Sequence, residues 1–520
     1  MKYTSCLLAL AAVSSLATSA SAYTIVSGDI TSNTTWNSSG APYILEGPIY
    51  VKNGATLTIQ AGTIVRGQPR TGSTAPGSLL VTKTGRINAQ GNSTNPVIFT
   101  TAAVDVNNDS VADGSLGNYT RFNPSIHNQA SDFLDQDPLN SPLAPLDGNG
   151  NGNVSLWGGL VVLGSAPTNL GTGTGAGGDI LAGIGNIEGI APQTADTEFG
   201  GFDPNDDSGI LRYISIRHGG DELDVANELN GLTLAGVGAG TTVEFIDIYS
   251  TFDDGLEIFG GTVNIKNISV VFAGDDQFDF DQGYTGKAQF LFAVMPYFTE
   301  TDGDPFGSAS GDKAGEWDGE DSSERGGDVT INADGRPVPF SYPFVYNMTV
   351  VGSDLPASSA ATQTTTDKGR IQMRNGFNGW LVNSITVNTG SSVALEVANS
   401  GLSPFTSADN ATAGTLGVGC FTMSDVTAPS GAALTALANG GSTFTNPASF
   451  SLTGEDQNYN GSATLNPRPT GNLPAYFNPS CSELGGGFFT DVSYRGAFAP
   501  SGALWTTGWT AANKRGFLAN

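Results

Sequence analysis

LRYISIRHGGDE (Leu211–Glu222), VEFIDIYSTFDDGLEIFGG (Val243–Gly261) and VNIKNISVVFAGDDQFDFDQGY (Val263–Tyr284) repeat one pattern. Each time a short β-branched and aromatic run ends in a turn loaded with carboxylates. These are Asp221 and Glu222, then Asp253 and Asp254, then Asp275 and Asp276. From Asp253 to Asp275 is 22 residues, about the length of one solenoid coil, within the ~20–50-residue period of such repeats. Strands stacked in that register stack their acidic turns as well. The pattern therefore predicts an all-β parallel β-helix with a column of negative charge down one edge.

The same rhythm starts upstream. YILEGPIYVKNGATLTIQAGTIVRGQ (Tyr43–Gln68) turns Ile49, Val51, Leu57, Ile59 and Ile64 inward and breaks at Gly47, Gly54, Gly62 and Gly67. Alternation interrupted every few residues by glycine describes short strands joined by tight corners. Leu79–Val81, Pro96–Thr100, Trp157–Ala166, Phe290–Val294, Phe344–Val351, Trp380–Val387 and Val393–Val397 supply further rungs.

GPIYVKNGATLTIQAGTIVRG and NPVIFT resemble the opening coils of bacterial secreted right-handed parallel β-helix proteins of the pectin-lyase-like superfamily. WGGLVVLGSAPTN, LRYISIRHGG and GDDQFDFDQGY are similar to a group of large exported β-helix proteins of marine and environmental bacteria. The likeness runs from Tyr43 to Glu396. It implies a right-handed solenoid and, fold being separable from function, no particular reaction.

Two stretches interrupt the rungs. Residues 102–153 read as an insertion, in which DVNNDSVAD places Asp105, Asn107, Asp109 and Asp113 at alternating positions. Oxygens at that spacing suit a calcium loop, although the usual glycine after Asp109 and a Glu at position twelve are missing, so it is no EF-hand. A solvated Asn/Asp turn is the other reading, and DGNGNGN (Asp147–Asn153) is a weaker candidate. Residues 299–335 form a long polar excursion with no evident structure of its own, carrying Glu316, Trp317 and Asp318. Segments of that length are functional or mobile. Trp317 is read either as a sugar-stacking platform or as a buried anchor.

At the N-terminus Met1-Lys2, the apolar Leu7–Val13 and Ala20-Ser21-Ala22 make a secretion signal cleaved after Ala22. No later stretch reaches the ~18 apolar residues of a membrane span. The chain is thus expected to be exported, extracellular or on the outer cell surface. Charge points the same way. Aspartate and glutamate outnumber lysine and arginine 49 to 21, for a net −28, which argues against nucleic acid and anionic membrane as partners and favours divalent cations, basic partners or a saline environment. Cys420 and Cys481, the cysteines left after signal removal, are expected to form one disulfide in an exported chain. It would staple a C-terminal region, residues 401–520, whose aromatic end (Phe488, Phe489, Tyr494, Phe498, Trp505, Trp509) is read as a cap on the last coil of a β-helix occupying residues 23–400.

The acidic column is the main site candidate. Asp253, Asp254, Asp275, Asp276 and Asp279, with Glu257 and Asp281, come from adjacent turns. Carboxylates that close raise one another's pKa or bind a cation. Calcium between coils is the first expectation, a catalytic set on a polysaccharide the second, and plain solvated turns the third. Asp275-Asp276 after Gly274 is similar to the paired aspartates of polygalacturonases, and His218-Gly219-Gly220 offers a histidine. Here, however, His218 precedes the pair, and Gln372 stands where that family's lysine is expected. These departures speak against polygalacturonase chemistry. A histidine ending a rung is also more often a hydrogen-bonded turn residue than a base. Function is therefore read as a calcium-stabilised surface or secreted β-helix for adhesion, glycan binding or matrix, with a polysaccharide lyase or glycoside hydrolase as the alternative.

Overall fold

A computed structural model describes residues 23–105, 119–127, 129–145, 152–170, 183–188, 190, 193–224, 227–296, 313–319, 341–352, 369–375, 377, 379–388, 395–397, 417–419, 422–424, 452–453, 464–469 and 487–520. The signal, Asn107, Asp109, Asp113, Asp147, Cys420 and Cys481 lie outside them.

Among the described residues, the chain winds as a parallel β-helix of two sheets. A front sheet stacks nine strands: Pro48–Val51, Ser78–Val81, Gly159–Leu163, Leu232–Ala235, Leu256–Phe259, Phe278–Asp281, Gly315–Asp318, Ile371–Arg374 and Leu395–Val397. A second sheet of seventeen strands bends into two faces and closes the coil behind it. The central coils have strands long enough to run round the bend unbroken, such as Thr242–Thr251 and Asn264–Ala273.

Registry explains why the apolar alternation works. Inward positions of the front sheet superpose as Ile49, Leu79, Leu160, Leu232, Leu256 and Phe278, and as Val51, Val81, Val162, Leu234, Ile258, Phe280, Trp317 and Met373. These side chains are buried in one continuous core. A fully buried Leu, Ile or Phe contributes about 1.5–3 kcal/mol, so every added coil is stabilised by its contact with the previous one.

The corners differ from the sequence expectation. Gly54 and Gly62 do take positive φ, 77° in each case. The bend of the second sheet, however, is turned by Tyr213, Phe245, Asn267, Phe290, Asn347 and Asn383, all with φ between 50° and 60°. Asparagine tolerates this region, whereas for aromatic residues it costs about 1–2 kcal/mol. Stacking offsets that cost at one corner: the Tyr213 and Phe245 rings lie parallel with centroids 4.4 Å apart. Gly67 has another reason to be glycine, since a Cβ there would lie 2.6 Å from the Trp157 ring.

The structure refines three further readings. The 299–335 excursion contains a rung, Gly315–Asp318, pairing with Phe278–Asp281 and Ile371–Arg374. Trp317 there is fully buried and stacks on Phe280 at 5.3 Å, so it is an anchor and no sugar platform. GEWD escaped notice because its one apolar residue sits between charges. The insertion opens with an antiparallel pair, Ala103–Asp105 with Tyr119–Arg121. The C-terminal segment, residues 487–520, packs among the described residues along the flank of the bent sheet. Phe498, Leu504, Phe517 and Leu518 pack on Phe272, Phe292, Val294 and Ile385 of the bent sheet. The Ala511 amide donates to Asp247 (2.8 Å), and Lys266 Nζ donates to the Phe488 carbonyl (2.9 Å). The outward row of that sheet is apolar at successive rungs, and this is the surface the segment covers.

Candidate functional site

The front sheet also has an outward side, and its character changes along the solenoid. On the early coils the outward residues are Leu80, Val161, Leu163 and Ala235, packed under Ile187, Ile190 and Phe199 of a loop crossing the sheet. From Leu256–Phe259 onward the same row reads Glu257, Asp279, Glu316, Gln372 and Glu396. The next row reads Phe259, which still packs with the early cluster, then Asp281, Asp318 and Arg374.

A third row lies in the turn entering the sheet, where each side chain accepts the amide of its counterpart one coil on. Asn230 Oδ1 accepts from the Asp254 amide (3.2 Å), Asp254 Oδ1 from Asp276 (2.9 Å), and Asp276 Oδ1 from Lys313 (2.8 Å). The carbonyls run the ladder in parallel: Gly231 N donates to Asp254 O (2.9 Å), and Gly255 N to Asp276 O (2.8 Å). The carboxylates of Asp254 and Asp276 are therefore fixed by the solenoid itself. This is why an aspartate pair recurs at the coil period.

Two groups of oxygens converge. One ligand atom from each of Asp253, Asp254 and Asp275 lies within 4.8 Å of the others, and the same holds for Asp254, Glu257 and Asp279. Asp254 belongs to both. Asp254, Glu257 and Asp276 are each no more than 6% exposed. Burial first, and then the neighbouring carboxylates, push the pKa of Asp254, Glu257, Asp276 and Asp279 well above the ordinary range. Four acids this close and this dry hold protons or share a cation. Hard oxygen donors from two coils fit calcium, which accepts six to eight oxygens in flexible geometry.

Cations of the chain border the group. Lys313 Nζ lies 3.2 Å from Glu316 and 3.8 Å from Asp276. Burial pulls its pKa down, but Asp276, Glu316 and Asp275 outweigh burial, so it is raised and Lys313 stays charged. Arg374 grips Asp318 through Nε at 2.7 and 2.8 Å and reaches Glu316 at 2.6 Å. Arg370 pairs with Glu396 one coil on. Sequence reading missed Lys313 and Arg374 as part of the site. They enter it only because the stretch from Lys313 to Asp318 is a rung.

The sequence candidates divide accordingly. Asp253, Asp254, Asp275, Asp276 and Asp279 are brought together. His218 is not part of the group. It is fully buried, its Nδ1 lies 2.6 Å from the Asn153 carbonyl, and its ring meets Tyr249 edge-on. Burial lowers its pKa to about 4, so it is neutral at pH 7 and serves as the packed turn residue. Asp105 ends the strand Ala103–Asp105. Its partners in the candidate calcium loop fall outside the described residues.

No curated protein matches the chain. Among solved structures, the enzymatically active domain of tailspike protein 2 of bacteriophage CBA120 aligns at 9% identity with a TM-score of 0.25. Full-length tailspike protein 2 from Escherichia coli O157:H7 bacteriophage CAB120 aligns at 10% and 0.19. Each alignment covers 74% of this chain, which spans only 38% of either structure. A family model described as a pectate-lyase-like beta helix domain matches residues 28–117 and 143–510. With stacked parallel strands, registered core rows and that match over most of its length, the chain belongs to the pectate-lyase-like β-helix family.

Proposed function

We propose that this chain is an exported β-helix protein that binds polysaccharide on the outward acidic face of its front sheet, with calcium held among Asp254, Glu257 and Asp279 and in the adjoining group of Asp253 and Asp275. The observation that carries the reading is the convergence of carboxylate oxygens from two adjacent coils within 4.8 Å, with Asp254 and Glu257 buried among them. Such a group is poorly stable as it stands and well suited to a hard dication. Bound calcium would offset the negative field and let hydroxyl or carboxylate oxygens of a glycan approach. Adhesion or matrix assembly at a cell surface is the role this supports.

A second reading, a polysaccharide lyase or hydrolase, is favoured by one feature. Buried acids with raised pKa can donate a proton at neutral pH, as a general acid must. Against a lyase stands Lys313, the basic group beside Asp276, because its pKa is raised and a charged ammonium abstracts no proton.

The test is incubation of the mature chain, with calcium or with chelator, against acidic and neutral polysaccharides. Binding, new reducing ends and unsaturated products are followed together. Calcium-dependent binding without products supports the binding reading. Turnover abolished by Asp279→Asn establishes the enzyme. Binding indifferent to chelator overturns the calcium role.

A further inference from the structure

Residues 487–520 are fastened to five successive coils by polar anchors. In the strand Thr242–Thr251, Asp247 Oδ2 accepts the Ala511 amide (2.8 Å) as well as the Ser215 hydroxyl (2.6 Å). One coil on, Lys266 Nζ donates to the Phe488 carbonyl (2.9 Å) and the Thr490 hydroxyl (2.7 Å). One further, Gln289 exchanges two hydrogen bonds with the Thr490 backbone, both at 2.8 Å. Asn347 Nδ2 then donates to the Tyr494 carbonyl (3.0 Å), and the Thr349 hydroxyl accepts the Ala497 amide (2.8 Å). On the fifth coil the Asn383 carbonyl accepts the Gly496 amide (2.7 Å). The segment thus runs out from Lys266 to Asn383 and returns to Asp247. On the return Phe498 meets Phe292 edge-on at 4.9 Å, and Phe517 meets Phe272 at 5.6 Å.

The anchored coils are those of the acidic face. Followed along the chain, they lead in the same order to the front strands Leu256–Phe259, Phe278–Asp281, Gly315–Asp318, Ile371–Arg374 and Leu395–Val397. Those strands carry the outward row Glu257, Asp279, Glu316, Gln372 and Glu396. The early strands Thr56–Gln60 and Arg86–Gln90 carry none of these anchors. In a solenoid each coil contacts only its neighbours, so adjacent coils can open locally. Like charges on paired strands favour such opening, and the later front sheet stacks them where the early one is apolar. A segment tied to five coils opposes it, because no two of them can part without breaking the tie.

We propose that residues 487–520 are a clasp that positions the site: docked on the bent sheet, they hold the coils of the acidic row at their stacking distance and so set the spacing of the front carboxylates. Whatever binds across two of those coils is then linked to docking of the clasp, and the linkage is reciprocal. That coupling, in its calcium form, rests on the metal reading given above, whereas the bracing of the coils does not.

Hydrogen exchange read by mass spectrometry on the whole mature chain tests it, with calcium titrated by calorimetry. Phe498→Asp sets a carboxylate against Phe292 and should release the clasp. Exchange should then quicken at least about tenfold in Leu256–Phe259, Phe278–Asp281 and Gly315–Asp318 and stay unchanged in Thr56–Gln60 and Arg86–Gln90. Lys266→Met, which removes one anchor and keeps the stem, should give the same pattern more weakly and serves where Phe498→Asp does not fold. Calcium should bind Phe498→Asp about tenfold more weakly than the native chain and should slow exchange in residues 487–520 of the latter. Front strands unaffected by release of the clasp, or early and late strands quickened alike, would overturn the clasp. Equal calcium affinity with and without it would overturn the coupling. A native chain that takes no calcium would remove the metal reading, and the exchange pattern would still decide the clasp.

Discussion

The two halves of the front sheet share one backbone and oppose each other in chemistry. Both stack strands in the same register, and both bury the same inward rows of Leu, Ile, Val and Phe. Outward, the early half carries Leu80, Val161, Leu163 and Ala235 beneath a covering loop, while the later half carries Glu257, Asp279, Asp281, Glu316 and Asp318. The solenoid needs only its inward rows to wind. The outward rows are thus free to be a second core in one half and a site in the other.

Exchanging the two chemistries gives the largest effect. Val161→Asp puts an unpaired carboxylate under the loop and should cost about 4 kcal/mol, read as a lowered denaturant midpoint. Tolerance of that change would mean the loop does not seal the early half. Next comes metal. Chelator should lower the melting temperature of the native chain by the equivalent of about 2.7 kcal/mol when calcium stood at ~100 times its Kd. The variant pair Asp254→Asn with Asp279→Asn should show no such shift. A melting curve indifferent to chelator removes calcium from the acidic half.

Lys313→Met removes the cation beside Asp276 and one of the two beside Glu316, and should destabilise by about 2 kcal/mol. Added calcium should restore part of the loss. Failure of calcium to do so would place the metal away from Lys313. Smallest is Glu257→Leu, which makes one acidic position resemble the early half. In chelator it should be neutral or stabilising by about 1 kcal/mol, and clear destabilisation would argue that Glu257 is bound to something other than a metal.

Acidity sharpens the same contrast. Asp254, Glu257, Asp276 and Asp279 have folded-state pKa values raised above their unfolded ones. Their contribution is fully present below the unfolded pKa and is lost as pH rises through the folded value. In chelator, stability should therefore rise as pH is lowered from neutrality toward the ordinary carboxylate range, and calcium should flatten that slope. Urea midpoints at several pH values, with and without calcium, measure it. A slope of opposite sign would show that these acids are ionised and compensated in the fold.

Much of this was legible in the chain. Alternation at Leu57 and Ile59, and the recurrence of Asp253-Asp254 at Asp275-Asp276, mark both the coil length and the acidic column. The Gly315–Asp318 rung was not legible, because a strand with a single apolar residue has no period to read. His218 read first as a hydrogen-bonded turn residue, and packing shows its partner, the Asn153 carbonyl.

Sequence alone determined the solenoid, its coil length and the clustering of the aspartates, since all three follow from residue spacing along the chain. Tertiary structure alone decided that Lys313 and Arg374 face those aspartates, that His218 does not, that Trp317 is core, and that the aromatic C-terminus lies on the flank. These are contacts between residues whose separation is set by loops of irregular length. Such loops change the distance along the chain without changing the neighbour one coil away.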